Sequence, residues 1–376
     1  MGNTIISALR RNLAALPGWR TGRKLVVIES DDWGSIRMPS QKFYLELQKA
    51  GLDLVSDEGA LFNKFDTLAS AEDLSGLFGV LGSVRDSSGR PVVITPVSVV
   101  ANPDFDRIRQ SDFTRYFFEP FTETLRRYTG CENSFALWQE GIRRRLFVPQ
   151  FHGREHLNVS VWMRALSGGN KTAMTGFDHS FWGMTTRGEH GIGVEFQAAF
   201  DFTDPADLLY HREVLSGGLK LFGDLFGYKA SYFAPPNGPF SSSLEPLLAE
   251  NGIEYLSMPR IQSEPMGYGK AERRIHWIGK RTRTGLTIIT RNSFFEPVVP
   301  GIDWVDRCMY DISVAFRWKK PAVISSHRVN FVGGLSHQNR EQGLNRLHDL
   351  LKAVMKRWPE AEFVTSEELG DIIRNG

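Results

Sequence analysis

The sequence predicts one barrel-like α/β domain built around a mostly parallel, buried sheet. Short apolar runs rich in β-branched residues recur along the chain, longer helical patterns separate them, and no low-complexity linker interrupts them. The seven runs cover residues 24–30, 91–100, 146–152, 230–236, 286–292, 321–327 and 361–366. Because they extend over nearly all of the 376 residues, a single domain over 24–376 is favoured over two domains.

Helix boundaries follow from capping residues. Ser40 is the expected N-cap of a helix that ends before Gly51. Ser243 and Gly252 take the same roles for a second helix, and residues 339–358 form a third. The alternation of these helices with the apolar runs is typical of βα units.

Composition restricts the classes of function. With 45 basic and 43 acidic residues the formal net charge is +2, which argues against a nucleic-acid-binding surface. Cys131 and Cys308 are too few for a disulfide scaffold or a thiolate zinc site. Any bound metal must therefore use His, Asp or Glu.

The two least regular segments are the N-terminus and a Gly- and aromatic-rich stretch. Residues 1–23 predict a short amphipathic helix without the apolar core of a signal peptide, so we expect a cytoplasmic protein. No run of about 18 apolar residues is present to span a bilayer. Residues 165–200 predict an elaborated loop or lid.

Polar residues cluster where the predicted strands end. In α/β barrels and open sheets, ligands bind at the carboxyl ends of the strands. The candidates at these ends are Asp31, Asp32, His152, His156, Asn237, Glu296 and His327. Together they form a possible set of metal ligands and acid–base groups.

His152 and His156 have an i, i+4 spacing that stacks two imidazoles on one face of a helical segment. Two imidazoles and one carboxylate are the minimal protein ligands of a catalytic divalent ion with an open position for water. Taken alone, the spacing is more often a solvated helix face.

Asp31 and Asp32 are adjacent at the exit of a buried strand. Neighbouring residues on a strand point in opposite directions, so each carboxylate can have its own environment and role. One would bind the metal and the other would accept a proton from the activated water. Capping of the following turn is an equally weighted alternative. His327 completes the set as a general acid, although a histidine bonded in the core is the ordinary reading of its position.

These residues resemble the polysaccharide deacetylase superfamily, the carbohydrate esterases of the NodB-homology type. The segment "VVIESDDWG" is similar to the first motif of the family, which implies Asp31 as the catalytic base and Asp32 as a metal ligand. "HGREH" is similar to the second motif, which implies His152 and His156 as the other ligands. "ISSH" is similar to the fifth motif, which implies His327 as the catalytic acid.

The resemblance also implies a fold and a cofactor. Members have a distorted (β/α) barrel of about seven strands, of the glycoside hydrolase and deacetylase type, and bind one divalent metal ion. Zinc is the first expectation, with cobalt, nickel or iron as alternatives. "FAPPNG" at 233–238 is similar to the third motif, and the order of motifs matches over residues 25–330.

Three departures from the family pattern indicate a divergent branch. Gly153 replaces a Ser or Thr of the second motif. Ala234 stands where the third motif has the Arg that orients the catalytic base, with Arg37 and Arg154 as candidate replacements. The fourth motif survives only as Asp303-Trp304, which reads equally well as a helix start.

The resulting expectation is a metal-dependent hydrolase that removes an acetyl group from an N-acetylated or O-acetylated sugar or glycan precursor. The aromatic content of 12% is compatible with a sugar site, although core packing is the commoner use of such residues. Backbone N–H groups near Asn237 and Gly238 are candidate oxyanion donors. The expected substrate-binding residues are Trp33, Asn237, Gly238, Arg154 and Glu296.

Two alternatives stay open. The first is hydrolysis of another C–N bond or of a glycosidic bond in carbohydrate metabolism, with Glu195, Asp201 and Glu296 as candidate carboxylates. The second is a carbohydrate-binding member of the fold with little or no turnover, favoured by the missing Arg at position 234. No nucleic-acid partner is expected, and the oligomeric state is open.

Overall fold

A computed structural model describes residues 12, 15–56, 59–184, 186 and 193–376 of the chain. The strands are β1 Leu25–Trp33, β2 Thr95–Val99, β3 Ala101–Pro103, β4 Phe118–Pro120, β5 Gln150–Gly153, β6 Tyr232–Phe233, β7 Tyr255–Ser257, β8 Ile261–Gly267, β9 Lys270–Ile275, β10 Thr287–Ile289, β11 Ser293–Phe294, β12 Ala322–His327 and β13 Glu362–Phe363. The α-helices are α1 Gln41–Lys49, α2 Ala60–Phe65, α3 Ala71–Ser83, α4 Phe105–Gln110, α5 Phe121–Arg127, α6 Ser134–Arg143, α7 Val159–Ser167, α8 Lys171–Asp178, α9 Asp207–Phe226, α10 Glu245–Glu250, α11 Trp304–Arg317, α12 His337–Arg357 and α13 Ser366–Asn375.

Nine of the strands in the described part of the chain form one curled, parallel sheet. Their order is β10-β7-β6-β5-β2-β1-β12-β11, and β13 pairs with the beginning of β1. β3 with β4 and β8 with β9 form separate two-stranded antiparallel sheets. The predicted α/β class and barrel-like parallel sheet are confirmed.

Each of the seven predicted apolar runs overlaps a strand of this sheet, namely β1, β2, β5, β6, β10, β12 and β13. The prediction missed β7 and β11. Neither strand lies in a continuous run of β-branched residues, and β11 begins at a polar residue, Ser293.

The alternation of side chains along β1 divides the core between the two faces of the sheet. Val26 and Ile28 pack into the larger apolar cluster, to which α1, α3, α6, α11 and α12 contribute. Leu25 and Val27 belong to a separate cluster with residues of several other strands and of α13. Each face of the sheet is therefore covered, as expected of a parallel sheet.

Capping explains most of the helix boundaries, with one correction. The Ser40 side chain accepts a hydrogen bond from the N–H of Phe43 at the start of α1, as predicted. At the second predicted helix the capping side chain is Ser241, and Ser243 lies inside a short 3₁₀ helix that leads into α10. Pro246, near the start of α10, has no N–H for a side chain to cap.

The N-terminal amphipathic helix falls mostly on residues outside the described part, and residues 15–23 form turns and irregular backbone. The predicted loop at 165–200 contains α8, while residues 185 and 187–192 are also outside the description. Both segments stay predictions. Among the described residues, no helix combines the length and apolarity needed to cross a membrane.

Candidate active site

The carboxyl ends of the central strands open into one cleft of about 790 Å³. Six of the seven strand-end residues predicted from the sequence line it, the seventh being Glu296, which lies behind His327. The six are Asp31, Asp32, His152, His156, Asn237 and His327. The strands thus bring together residues that are up to 296 positions apart in the chain, as the parallel topology predicts.

Asp31 and Asp32 both face this cleft, although neighbours on a regular strand would point to opposite sides. The pairing of β1 with β2 shifts register between Ser30 and Trp33. Asp32 itself has a φ of 73°, in the left-handed region that non-glycine residues rarely adopt. The irregularity turns the second carboxylate back to the side of the first, so the expectation of separate environments is corrected to one shared cleft.

Asp32, His152 and His156 form a compact group of potential metal ligands. Asp32 Oδ1 lies 3.1 Å from His156 Nε2 and 3.6 Å from His152 Nε2. Within the described residues, the ligand atoms of this trio all lie within 4.8 Å of one another. Ligand atoms around a tetrahedral zinc ion are separated by roughly 3.3 Å, so the spacing suits such an ion.

The surroundings of the two histidines also fit a metal site. His152 Nδ1 lies 2.6 Å from the carbonyl oxygen of Ala234, so a proton on Nδ1 leaves the lone pair on Nε2. That Nε2 atom is buried without a hydrogen-bond partner among the described residues. The loop that carries His156 is held by Trp182, whose indole N–H donates to the His156 carbonyl at 3.1 Å. The first contact orients the His152 ring, and the last one fixes the backbone of His156, before any ion binds.

The electrostatics of Asp32 favour an ionised ligand. Burial alone would raise the pKa of its carboxyl group, but the two adjacent imidazoles hold the pKa well below its usual range. Asp32 is therefore a carboxylate at neutral pH, as metal coordination requires.

Asp31 is held by an arginine that the sequence reasoning did not select. Arg291 Nη1 and Nη2 donate to the two carboxylate oxygens of Asp31 at 2.5 Å and 2.6 Å, and its Nε donates to Glu29 at 2.6 Å. Burial would raise the pKa of Asp31, but the Arg291 guanidinium more than compensates and lowers it. Arg291 could have been selected from the sequence, because it closely follows the apolar residues of β10 and so lies at a strand end.

The two arginines proposed as substitutes for this role have other contacts. Arg37 lines the cleft, but its guanidinium donates to Asn63 at 3.2 Å and to Gln197. Arg154 is buried outside the cleft lining and donates to Glu155 at 2.6 Å. Neither orients Asp31, and the expected contact of Arg154 with substrate is not supported by its position.

His327 lies next to Asp31, with its Nε2 atom 4.0 Å from Asp31 Oδ2. Glu296 accepts from His327 Nδ1 at 2.6 Å and from the Asn330 side chain at 2.7 Å. Burial disfavours the charged imidazole, but Glu296, assisted by Asp32 and Asp31, raises the pKa of His327 to about 10. Glu296, predicted to contact substrate, instead uses both oxygens to position His327.

The remaining predicted substrate contacts divide between the cleft and the core. Asn237 and Gly238 line the cleft, although the Gly238 N–H donates to Pro235 at 3.2 Å and is thereby engaged in a turn. Trp33 is buried in the core, and its indole N–H donates to Ser30 at 2.9 Å. The aromatic side chains in the cleft lining are Phe62 and Phe294.

The structure also shows where the carboxylates of the alternative function and the remnant of the fourth motif lie. Glu195 and Asp201 line the cleft, and Glu195 accepts from the N–H and hydroxyl of Thr186, each at 3.0 Å. Asp303 caps α11, accepting from the N–H groups of Val305 and Asp306. The reading of Asp303-Trp304 as a helix start is confirmed.

No family model and no curated protein matches the chain. Similar solved structures include two provisionally named polysaccharide deacetylases. The one from Mycobacterium smegmatis has a TM-score of 0.42 and 12% identity, over 96% of this chain and 93% of that chain. The one from Pseudomonas aeruginosa has a TM-score of 0.45 and 11% identity, over 93% and 91%. An allantoinase has a TM-score of 0.46 and 10% identity, over 94% and 93%.

Two of these three structures carry the name of the family that the motifs resemble. At these identities the likeness concerns the course of the backbone.

Proposed function

We propose that the chain is a metal-dependent hydrolase that removes an acetyl group from an N-acetylated or O-acetylated sugar or glycan. The observation that carries the proposal is the grouping of three metal ligands, Asp32, His152 and His156, beside an ionised Asp31 and a protonated His327 in one cleft. Ligands, base and acid are the groups that hydrolysis of an amide or ester by activated water requires.

Asp32, His152 and His156 would hold one divalent ion, with zinc the first candidate and cobalt, nickel or iron the alternatives. When bound, such an ion supplies Lewis-acid polarisation of the acetyl carbonyl and lowers the pKa of water. Neutral imidazole and carboxylate ligands without thiolates are compatible with each of these metals.

Asp31 acts as the general base. Its two oxygens accept from Arg291, which fixes the carboxylate and keeps it ionised, so it is available to take a proton from the attacking water. Glu29 accepts from the same guanidinium on the buried side, so Arg291 is held between two carboxylates. This arrangement gives Asp31 the orienting arginine that Ala234 does not provide.

His327 acts as the general acid. Glu296 stabilises the imidazolium at Nδ1, leaving Nε2 to donate a proton to the departing amine nitrogen or alkoxide oxygen. The pair works in the same way as other histidine–carboxylate pairs, in which the carboxylate fixes the orientation of the ring.

The pairing of Asp31 with Arg291 also bears on the alternative of a binding protein without turnover. That alternative was favoured by the absence of an orienting arginine at position 234. Because Arg291 meets the same requirement, the hydrolase is the better supported function.

The first experiment is elemental analysis of the purified, unchelated protein beside His152→Ala. We expect about one divalent ion per wild-type chain and its loss in the variant. His337→Ala is the matched control, since His337 is exposed and outside the cleft lining. Full occupancy in His152→Ala would refute the ligand assignment.

The second experiment measures acetate release from N-acetylated and O-acetylated oligosaccharides. Asp31→Asn should retain the metal and lose turnover, because the amide cannot accept the proton. If the metal-loaded wild-type protein releases sugar from these substrates and no acetate, a glycosidic bond is cleaved and deacetylation is excluded.

A further inference from the structure

In the described part of the chain, one cation of the cleft lining has no partner. Arg260 follows β7 by three residues and lines the same cleft as Asp31, Asp32 and the two histidines. The residue is half-buried, and its Nη1 atom is buried without a hydrogen-bond acceptor. Within the described residues its guanidinium forms no ion pair or hydrogen bond, so its positive charge is uncompensated at the cleft wall.

The other two arginines of the cleft lining differ in this respect. Arg291 is neutralised by Asp31 and Glu29, and Arg37 donates to Asn63. Burial lowers the pKa of Arg260, and no carboxylate among the residues that the structure describes counteracts this effect. A half-buried guanidinium without an acceptor is unfavourable in the free protein, and an anion bound in the cleft would remove that penalty.

The backbone around Arg260 is fixed on both sides. The Met258 N–H donates to the Ile289 carbonyl at 3.2 Å, and the Arg260 carbonyl accepts from the His276 N–H at 2.9 Å. Between these two anchors Pro259 restricts the backbone further. The backbone that carries the Arg260 side chain is therefore fixed before a ligand binds, which lowers the entropic cost of binding.

We propose that Arg260 binds an anionic group of the substrate, a carboxylate or a phosphate. This inference rests on the proposed function in identifying the ligand as the acetylated sugar, and it narrows the substrate class to acidic or phosphorylated glycans. A guanidinium without a competing carboxylate is well suited to either anion, through charge-assisted and bidentate hydrogen bonds.

The sheet gives the separation of this anion from the scissile acetyl group. β7 is separated from β5, which carries His152, by β6 alone. Two strand spacings amount to on the order of 10 Å. The anion should therefore lie on a part of the substrate remote from the acetyl group, such as a neighbouring sugar or a phosphate at the end of the glycan.

Inorganic phosphate and glucuronate are suitable probes, since their binding needs no turnover. Dissociation constants would be measured by calorimetry for the wild type, Arg260→Gln, Arg260→Lys and Arg273→Gln. Each would also be measured in the His152→Ala background, where the proposed metal site cannot hold the anion. Arg273 is the control, because it is exposed on β9 outside the cleft lining.

We expect binding of at least one probe to weaken about tenfold or more in Arg260→Gln, in both backgrounds, with Arg260→Lys intermediate and Arg273→Gln unchanged. Tighter binding of phosphate than glucuronate identifies a phosphorylated substrate, and the reverse identifies a uronic acid. Equal affinities in the wild type and Arg260→Gln, or binding of neither probe by the wild type, would overturn the inference.

Turnover gives an independent readout. The preference in kcat/KM for an acetylated oligosaccharide that carries the anion over its neutral counterpart should fall in Arg260→Gln and stay unchanged in Arg273→Gln. A protein that binds the probes through Arg260 but releases no acetate would refute the proposed function and leave the anion site standing.

Discussion

Replacing Arg291 with methionine tests the residue that binds both Asp31 and Glu29 in the site. Arg291 is largely buried, and it pairs with Glu29, which is fully buried, and with Asp31, which is nearly so. Methionine preserves much of the side-chain volume but removes the guanidinium that both buried carboxylates contact. Removal of one partner from a buried ion pair costs about 3–5 kcal/mol, a large share of a typical stability of about 5–15 kcal/mol.

The effect should depend on pH, with a defined sign. In the wild type the pKa of Asp31 lies below its ordinary value of 3.8, so its contribution to stability is present above that pH and is lost as the pH falls through the folded-state pKa. Burial acts to raise the pKa of Asp31, so loss of the guanidinium should move that pKa upward. The stability difference between wild type and variant should therefore be larger at pH ~8 than at pH ~4.

The assay is urea unfolding at both pH values, together with kcat of the metal-loaded proteins. We expect kcat to fall by about 10²–10⁴ at neutral pH, the usual contribution of a positioned general base. Arg283→Met, an exposed arginine outside the cleft lining, is the matched control. Equal unfolding midpoints for Arg291→Met and wild type at pH ~8, with kcat unchanged, would refute this reasoning.

Three further changes test other parts of the structure. Glu296→Gln removes the carboxylate that raises the pKa of His327 to about 10, so the alkaline limb of the kcat/KM profile should move down by about one pH unit or more. Burial lowers the pKa of His211 from 6.5 to about 4, so the wild type should lose about 2–3 kcal/mol between pH ~7 and ~4.5, a loss that His211→Leu should not show in urea titrations. Gly343→Ala places a Cβ atom 1.6 Å from the carbonyl oxygen of Asn330, so it should cost about 3 kcal/mol or more in thermal unfolding and also lower kcat.

Each of these three predictions would be contradicted by a specific result. An unchanged pH profile in Glu296→Gln would mean that His327 is not the group that titrates. Parallel loss of stability in His211→Leu and wild type would assign the acid sensitivity to other residues. Gly79→Ala is the control for Gly343→Ala, because a Cβ at Gly79 in α3 meets no atom within 4 Å. If the two alanine variants unfold at the same temperature, the close approach of α12 to Asn330 does not constrain the site.

Most of the fold was predictable because its signals are local. Seven of the nine strands of the parallel sheet coincide with apolar runs, since a strand covered on both faces needs a continuous stretch of such residues. The position of His152 and His327 at strand ends was predictable for the same reason. β11 was missed because it begins at a polar residue, Ser293, after the preceding apolar run has ended.

The sequence by itself determined the identity of the chemical groups, including two imidazoles and adjacent carboxylates at the ends of strands. Only the tertiary structure decided how these groups pair. Arg291 and Asp31 are 260 residues apart. Their contact depends on the pairing of β10 with β7 and on the pairing of β1 and β11 with β12, and no local pattern encodes these pairings. The common orientation of Asp31 and Asp32 likewise depends on one left-handed backbone angle at Asp32, which the surrounding sheet stabilises and the sequence does not reveal.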